Sequence, residues 1–302
     1  MPRLRLLAVL VLLLVAAGCG FKPEPIGTLP SFPQSVVDGL GRRVNVHSQP
    51  RRVVSLDPGL TESAYAVGAG SLMVGATGHE QYPQAARRLP RVVDSSGAPN
   101  VARIRRLHPD LILAANNLSA AAAGQLSRTV GAPVYVAGAG TVPAIEHDIE
   151  QIGAMTGNAP AGATLVRQMQ AGMRTVSKAI AGLPPVPVFI DEGFFFTIDP
   201  TGTAAGLITL AGGANVATSV TPGKPFPLSR LRSAAPQVYL AFAGRGVTLA
   251  GLRTSKATKG LPAMRERHFA LVDGAALSDT GPRVVAEVRN LAHLLHPSLR
   301  IP

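Results

Sequence analysis

Val101-Ala102-Arg103-Ile104-Arg105-Arg106-Leu107-His108-Pro109-Asp110-Leu111-Ile112-Leu113-Ala114 recurs as Leu228-Ser229-Arg230-Leu231-Arg232-Ser233-Ala234-Ala235-Pro236-Gln237-Val238-Tyr239-Leu240-Ala241, an offset of 127 residues between Val101 and Leu228. Each copy reads as a short helix, a proline stop and a buried strand. Pro109 and Pro236 end the helices because proline has no backbone donor and restricts the residue before it. The apolar runs that follow suit strands covered on both faces, as in a parallel sheet. A repeat this far apart predicts two α/β lobes rather than a solenoid. Two lobes enclose a cleft, and a cleft takes a ligand.

The alternation around each copy supports this reading. Residues 36–46 form a hairpin pattern with glycines in the turn. Strand-like runs follow at 52–56, 72–76, 111–115 and 134–136, with helical stretches between them and Thr61 as a candidate helix cap. A helix is expected over 143–155, then a longer one with Asn158 near its cap and Pro160 in its first turn. Leu165, Met169, Met173, Val176 and Ile180 share one face of it, and Gly182 with Pro184-Pro185 stops it. Residues 161–182 would span about 33 Å, enough to join two lobes. Strands are expected again at 186–190, 238–242 and 269–272, and a last helix opens at Pro282 with Val285, Val288, Leu291 and Leu295 on one stripe.

The first residues read as a leader. Arg3 and Arg5 precede an apolar run over 6–17 that is short for a bilayer span, and Val15-Ala16-Ala17-Gly18 leads into Cys19, the only cysteine. This resembles the lipobox of bacterial lipoproteins, which implies cleavage before Cys19, lipidation of Cys19 and an extracytoplasmic location. An ordinary signal peptide with an incidental cysteine is the alternative. The expected organisation is a signal peptide over 1–18, a lipid-anchored tether over 19–35, an N-terminal lobe over 36–157, a connecting helix over 158–183 and a C-terminal lobe over 184–302. With one cysteine, no disulfide holds the fold. The formal charge of +12 and the absence of tryptophan fit anionic lipid, an acidic ligand or simply a solvated arginine-rich surface better than nucleic acid in an exported chain.

Separated pieces of the chain resemble the substrate-binding lipoproteins of ABC importers for cobalamin, ferric siderophores and haem. They are Gly41-Arg42, Pro50 to Leu56, Thr61-Glu62, Val74-Gly75, Tyr82-Pro83, Leu89-Pro90, Pro99-Asn100, Pro109 to Ile112, Gly212 to Asn215, Pro227 to Pro236 and Gly281-Pro282-Arg283. The resemblance implies two α/β lobes joined by one long helix, with a metal-bearing small molecule held between them. It also implies no enzymatic activity, no cofactor beyond the metal the ligand carries, a monomer, and an ABC permease as partner.

Tyr82-Pro83 is most similar to the cobalamin branch, where an aromatic residue shortly before it packs on the corrin; here that position is His79. His79 is suited to stack, donate a hydrogen bond or coordinate a ligand's metal, or is a loop histidine facing solvent. Ser95 and Ser96 stand where cobalamin binders often place tryptophan. Asn116 and Asn117 follow the first repeated strand as cleft-facing polar groups or as turn residues. Phe194, Phe195 and Phe196 follow a strand and cannot all face one side of it, so at least one reaches the cleft or surface. Asp279 and Arg283 flank the last helix start, with Arg283 placed to meet an acidic ligand or to lie on the helix surface.

The glutamates with which such proteins dock on the permease correspond to Ala102 and Ser229, next to Arg103 and Arg230. Neither repeated helix holds a glutamate. Either the permease surface has changed sign or the chain is an envelope interaction protein on the same fold. No zinc-type histidine run, glycine-flanked nucleophile serine or Walker loop is present in the sequence. The leading expectation is a corrinoid-capturing lipoprotein, with a ferric-siderophore binder as the alternative.

Overall fold

The fold begins with a hairpin, β1 (Gln34–Val37) and β2 (Arg43–Val46), paired antiparallel with Val36 opposite Val44. Asp38 builds its turn: the buried carboxylate accepts from the backbone N–H of Leu40 and Arg42 and from the Arg42 guanidinium. The structure is a computed structural model and describes residues 31–278 and 280–301. The chain divides into Met1–Ser31 and Phe32–Pro302, and the second unit holds all the described helices and strands. Cys19, the leader, most of the tether and Asp279 lie outside the described residues.

The N-terminal lobe runs β3 (Val53–Ser55), α1 (Pro58–Ala66), β4 (Met73–Gly75), α2 (Val101–Arg106), β5 (Leu111–Ala114), α3 (Ala120–Val130) and β6 (Val134–Val136). Its sheet is all parallel in the order β4-β3-β5-β6. Two helices follow, α4 (Val142–Thr156) and α5 (Ala159–Ile180). The C-terminal lobe runs β7 (Val186–Asp191), α6 (Thr203–Leu210), β8 (Gly213–Asn215), α7 (Leu228–Ala234), β9 (Val238–Phe242), α8 (Leu249–Thr254), α9 (Pro262–Arg265), β10 (Phe269–Val272), α10 (Gly274–Leu277) and α11 (Val284–Leu295). Its parallel sheet has the order β10-β9-β7-β8. Both sheets therefore place the second strand, the first, the third and the fourth side by side. The repeated sequence is the third unit of each.

The repeat also shares its exit from the helix. His108 before Pro109 and Ala235 before Pro236 adopt φ of 44° and 46°. A following proline disfavours the right-handed helical region, and both residues take the left-handed one. Ile104 and Leu231, at matching positions, are fully buried, while the arginines on either side of each are exposed.

Two sequence expectations are corrected. Asp57, not Thr61, caps α1: its carboxylate accepts from Leu60 N–H at 2.9 Å, and Pro58 opens the helix. Thr61 sits one turn in, buried, with its hydroxyl on the Asp57 carbonyl. Strand β8 was not expected, because Gly-Ala-Asn carries no apolar run.

Helix α5 has 22 residues, about 33 Å at about 1.5 Å per residue. Met169 and Val176 of its stripe are buried, and Leu165, Met173 and Ile180 pack half-buried beside them. Glycines let its neighbours approach. A Cβ on Gly162 would lie 3.1 Å from the Ile149 carbonyl of α4, and one on Gly172 would lie 2.6 Å from Val285 of α11. One apolar core consequently runs from Val53 and Leu113 of the first sheet, past Val166 and Val176, to Val188 and Leu240 of the second. The outer face of each sheet has a separate core.

Each lobe also buries an aspartate against a tyrosine. Asp148 accepts from Tyr135 Oη at 2.6 Å and from Gly138 N–H, and Asp191 accepts from Tyr239 Oη at 2.6 Å. Burial pushes the Asp148 carboxyl above the usual carboxylate range, only partly offset by the Tyr135 hydrogen bond, and pushes both phenols far above theirs.

Two outcomes follow from this packing. Gly162→Val should destabilise the protein by about 1–3 kcal/mol in denaturant unfolding, because the added methyls have no room against α4. For Asp148, the folded state holds its proton more tightly than the unfolded state. Its contribution to stability is therefore greatest at acid pH and is lost as pH rises through the raised value. Unfolding of wild type and Asp148→Asn across that range should show the variant gaining relative to wild type as pH increases.

Candidate functional site

In an open parallel sheet, ligands bind beyond the carboxyl ends of the strands, where the strand order reverses. That point falls between β3 and β5 in one lobe and between β7 and β9 in the other. Beyond β3 lie Leu56, Asp57 and the start of α1. Beyond β7 lies the loop 192–196.

A cleft of about 240 Å³ joins the lobes at this level, lined from the first lobe by Asp57, Glu62, His79 and Tyr82 and from the second by Thr280 and Arg283. The loop carrying His79 and Tyr82 is organised by a residue the sequence reading passed over. Glu80 is 5 % exposed, and its carboxylate accepts from the Thr77 N–H and hydroxyl at 2.8 Å and from Gly78 N–H at 2.7 Å. Gly78 takes φ of 81°, which allows the turn. His79 and Tyr82 project outward from this knot, and Tyr82 is 54 % exposed.

The second lobe uses the same device. Asp191, 2 % exposed at the end of β7, accepts from Gly193 N–H at 2.8 Å and Phe195 N–H at 2.9 Å. These bonds hold Phe194 and Phe195 at φ of 54° and 66°, conformations uncommon outside glycine. The strained loop divides the three phenylalanines. Phe195 packs half-buried on the outer core, Phe196 is partly exposed, and Phe194 is 71 % exposed. Phe194 and Phe196 line a hollow of about 400 Å³ with Phe242 and Arg245 at the ends of β7 and β9.

Arg283 does not stand open to an acidic ligand. Its Nε contacts Glu62 Oε2 at 2.7 Å, its backbone N–H donates to Glu62 Oε1 at 3.1 Å, and its guanidinium lies 5.2 Å from the Tyr82 ring centroid. Ser95 and Ser96 occupy an exposed turn where Ser96 donates to Asp94 at 2.8 and 2.6 Å; they line neither hollow. Asn116 and Asn117 are exposed just past β5, at the switch point, but also line neither.

Ala102 and Ser229 are the second residues of α2 and α7, both exposed. Arg103 and Arg230 adjoin them, and Arg230 lies 5.3 Å from the Phe226 ring centroid and donates to Ser219 Oγ. Among the described residues, no group of three or more histidine, cysteine, aspartate or glutamate side chains is placed to hold a metal ion. No described helix is long and apolar enough to cross a membrane.

Comparison with known proteins agrees with this architecture. Residues 53–276 match the model of the periplasmic binding protein family. The chain is 24 % identical over 304 residues to the uncharacterized ABC transporter substrate-binding lipoprotein YvrC of Bacillus subtilis, covering 96 % of each chain. It is 26 % identical over 281 residues to the cobalamin-binding protein of Halobacterium salinarum, covering 88 % of this chain and 75 % of that one. The periplasmic vitamin B12 binding protein BtuF of Vibrio cholerae superposes with a TM-score of 0.71 at 22 % identity, over 82 % of this chain and 98 % of that one. With most of its length matched and both lobes accounted for, the chain belongs to the periplasmic binding protein family.

Proposed function

We propose that this protein captures a metal-bearing macrocycle, a corrinoid, outside the cytoplasm and delivers it to an ABC importer. The observation that carries this reading is the set of side chains at the carboxyl ends of both sheets. His79 and Tyr82 from one lobe and Phe194 and Phe196 from the other stand on loops fixed by buried carboxylates. Aromatic faces are already partly exposed, so a flat apolar ligand gains their burial with little ordering cost. His79 supplies an imidazole to a metal centre or to a polar edge of the ring. Relatives named for cobalamin and vitamin B12 support the same ligand class.

Cys19 is the lipid attachment point, which fits a relative named as a lipoprotein and holds the protein at the membrane surface. The two repeated helices are the docking elements. Arg103 with Arg105, and Arg230 with Arg232, flank a buried aliphatic residue at equivalent positions of each lobe. A receiving permease of acidic surface fits them, and an arginine-presenting one would be repelled. The formal charge of +12 and Arg245 beside Phe194 favour an anionic ferric siderophore as the second reading.

Calorimetric titration of the full chain carrying Cys19→Ser separates these readings. Cobalamin should bind, and haem or a ferric siderophore binding in its place would replace the ligand assigned; no binding by any of the three would end the capture reading. Phe194→Ala should weaken corrinoid binding by about 10- to 100-fold with unfolding unchanged, since most of the ring is already in solvent. Arg103→Glu with Arg230→Glu should leave the affinity intact and reduce transport in cells; unimpaired transport would remove the docking assignment.

A further inference from the structure

The contact across the cleft has a consequence of its own. Glu62 belongs to the first lobe and Arg283 to the second, 221 residues apart in sequence, and they meet through the two bonds of 2.7 and 3.1 Å. A third bond lies beside them, from Thr280 Oγ1 to Asp57 Oδ1 at 3.2 Å. The seam is tight: a Cβ on Gly59 would lie 2.3 Å from Thr280 Oγ1. The other described ion pairs, Arg42–Asp38 and His268–Glu266, stay within one lobe. The Glu62 side chain is 3 % exposed, so parting the lobes here takes a carboxylate from a charged, hydrogen-bonded partner. The two hollows that Glu62 and Arg283 line, about 240 and 370 Å³, lie below and at the low end of the range of about 300–1,000 Å³ typical of ligand pockets.

We infer that the Glu62–Arg283 contact is a clasp that holds the empty cleft narrower than its ligand, and that the ligand must release it to seat. The clasp then acts as a specificity element. When Arg283 leaves Glu62 its guanidinium turns to the entering molecule and asks for a hydrogen-bond acceptor at the ligand's edge. The same step frees the Tyr82 ring, which the guanidinium now covers at 5.2 Å, to lie against the ligand face. The molecule admitted carries peripheral amide or carboxylate oxygens around an apolar face. A bare apolar ring offers nothing to Arg283 and leaves the clasp shut.

The ligand half of this inference rests on the capture reading above; the clasp in the empty protein does not. The test uses the full chain carrying Cys19→Ser, spin-labelled at Thr129→Cys on α3 and Arg253→Cys on α8, with electron–electron distance measurement between the lobes. The empty wild type should give one narrow distance distribution. The paired variant Glu62→Gln/Arg283→Met removes both charges of the pair together and should give a broader and longer distribution. The exchanged pair Glu62→Arg/Arg283→Glu should narrow it again. A distribution for the paired variant that superimposes on wild type, with near-ultraviolet dichroism confirming both are folded, overturns the clasp. Addition of aquocobalamin should lengthen the wild-type distance, and its association rate should rise about tenfold in the paired variant. Binding with no change in distance overturns the release step. A clasp that responds to mutation in a protein that binds no macrocycle overturns the capture reading and leaves the clasp standing.

Discussion

The cleft depends on carboxylates placed inside the protein. The chain has 17 acidic residues against 29 lysines and arginines, yet Asp38, Glu62, Glu80, Asp148 and Asp191 are all buried. Each accepts hydrogen bonds from backbone N–H groups, and Glu62 and Asp38 also meet a guanidinium. A buried carboxylate is costly unless such partners satisfy it. Once satisfied, it fixes several backbone donors at one point, which is what a loop at a strand end needs in order to hold one shape. Glu80 does this for the loop of His79 and Tyr82, and Asp191 for that of Phe194. The same distribution leaves the surface short of acid and rich in arginine. The basic exterior is thus partly a consequence of how the interior loops are built.

Pattern and periodicity carried the fold because they report burial. The strands at 111–114, 134–136, 238–242 and 269–272 are runs of apolar residues between turn signals, and the face of α5 shows at spacings of three and four. The topology became legible through the duplicated helix, proline and strand, since two copies of one unit imply two copies of one sheet. Strand β8 escaped because its register comes from pairing with β7 and not from side chains that favour a strand. Thr61 drew the cap because threonine is a capping residue, whereas the helix starts earlier, where Pro58 supplies a preset φ and the Asp57 carboxylate accepts from Leu60 N–H.

The site was legible only in part, for a physical reason. Residue type marks His79, Tyr82 and the three phenylalanines as unusual in loops, and those five do stand at the carboxyl ends of the strands. What holds them there, Glu80 and Asp191, has no local signature, because a glutamate that binds its own loop and one that faces water look alike in sequence. Arg283 illustrates the converse. It has the chemistry of an anion receptor, but its partner Glu62 lies 221 residues away, and only the folded chain brings them together. Ser96, which the family resemblance points to, donates to Asp94 within its own turn, and that bond too has no signature in the sequence.

The shared core and the contact across the cleft act on opposite sides of the same question. Helix α5 and the apolar core around it join the lobes along one continuous apolar surface. Such packing resists sliding, because interiors at crystal-like density lose contacts with small displacements. The seam at Glu62 and Arg283 is narrow and polar, and a ligand that offers an acceptor can take over the guanidinium's hydrogen bond. Motion between the lobes is therefore cheapest where the cleft is and most costly where the core is. A small rotation that leaves the core intact changes the width at the cleft, and the aromatic side chains on their fixed loops move with the lobes as rigid jaws. A protein built this way holds its ligand between surfaces that are largely preformed, and what changes is their separation and the partner that Arg283 meets.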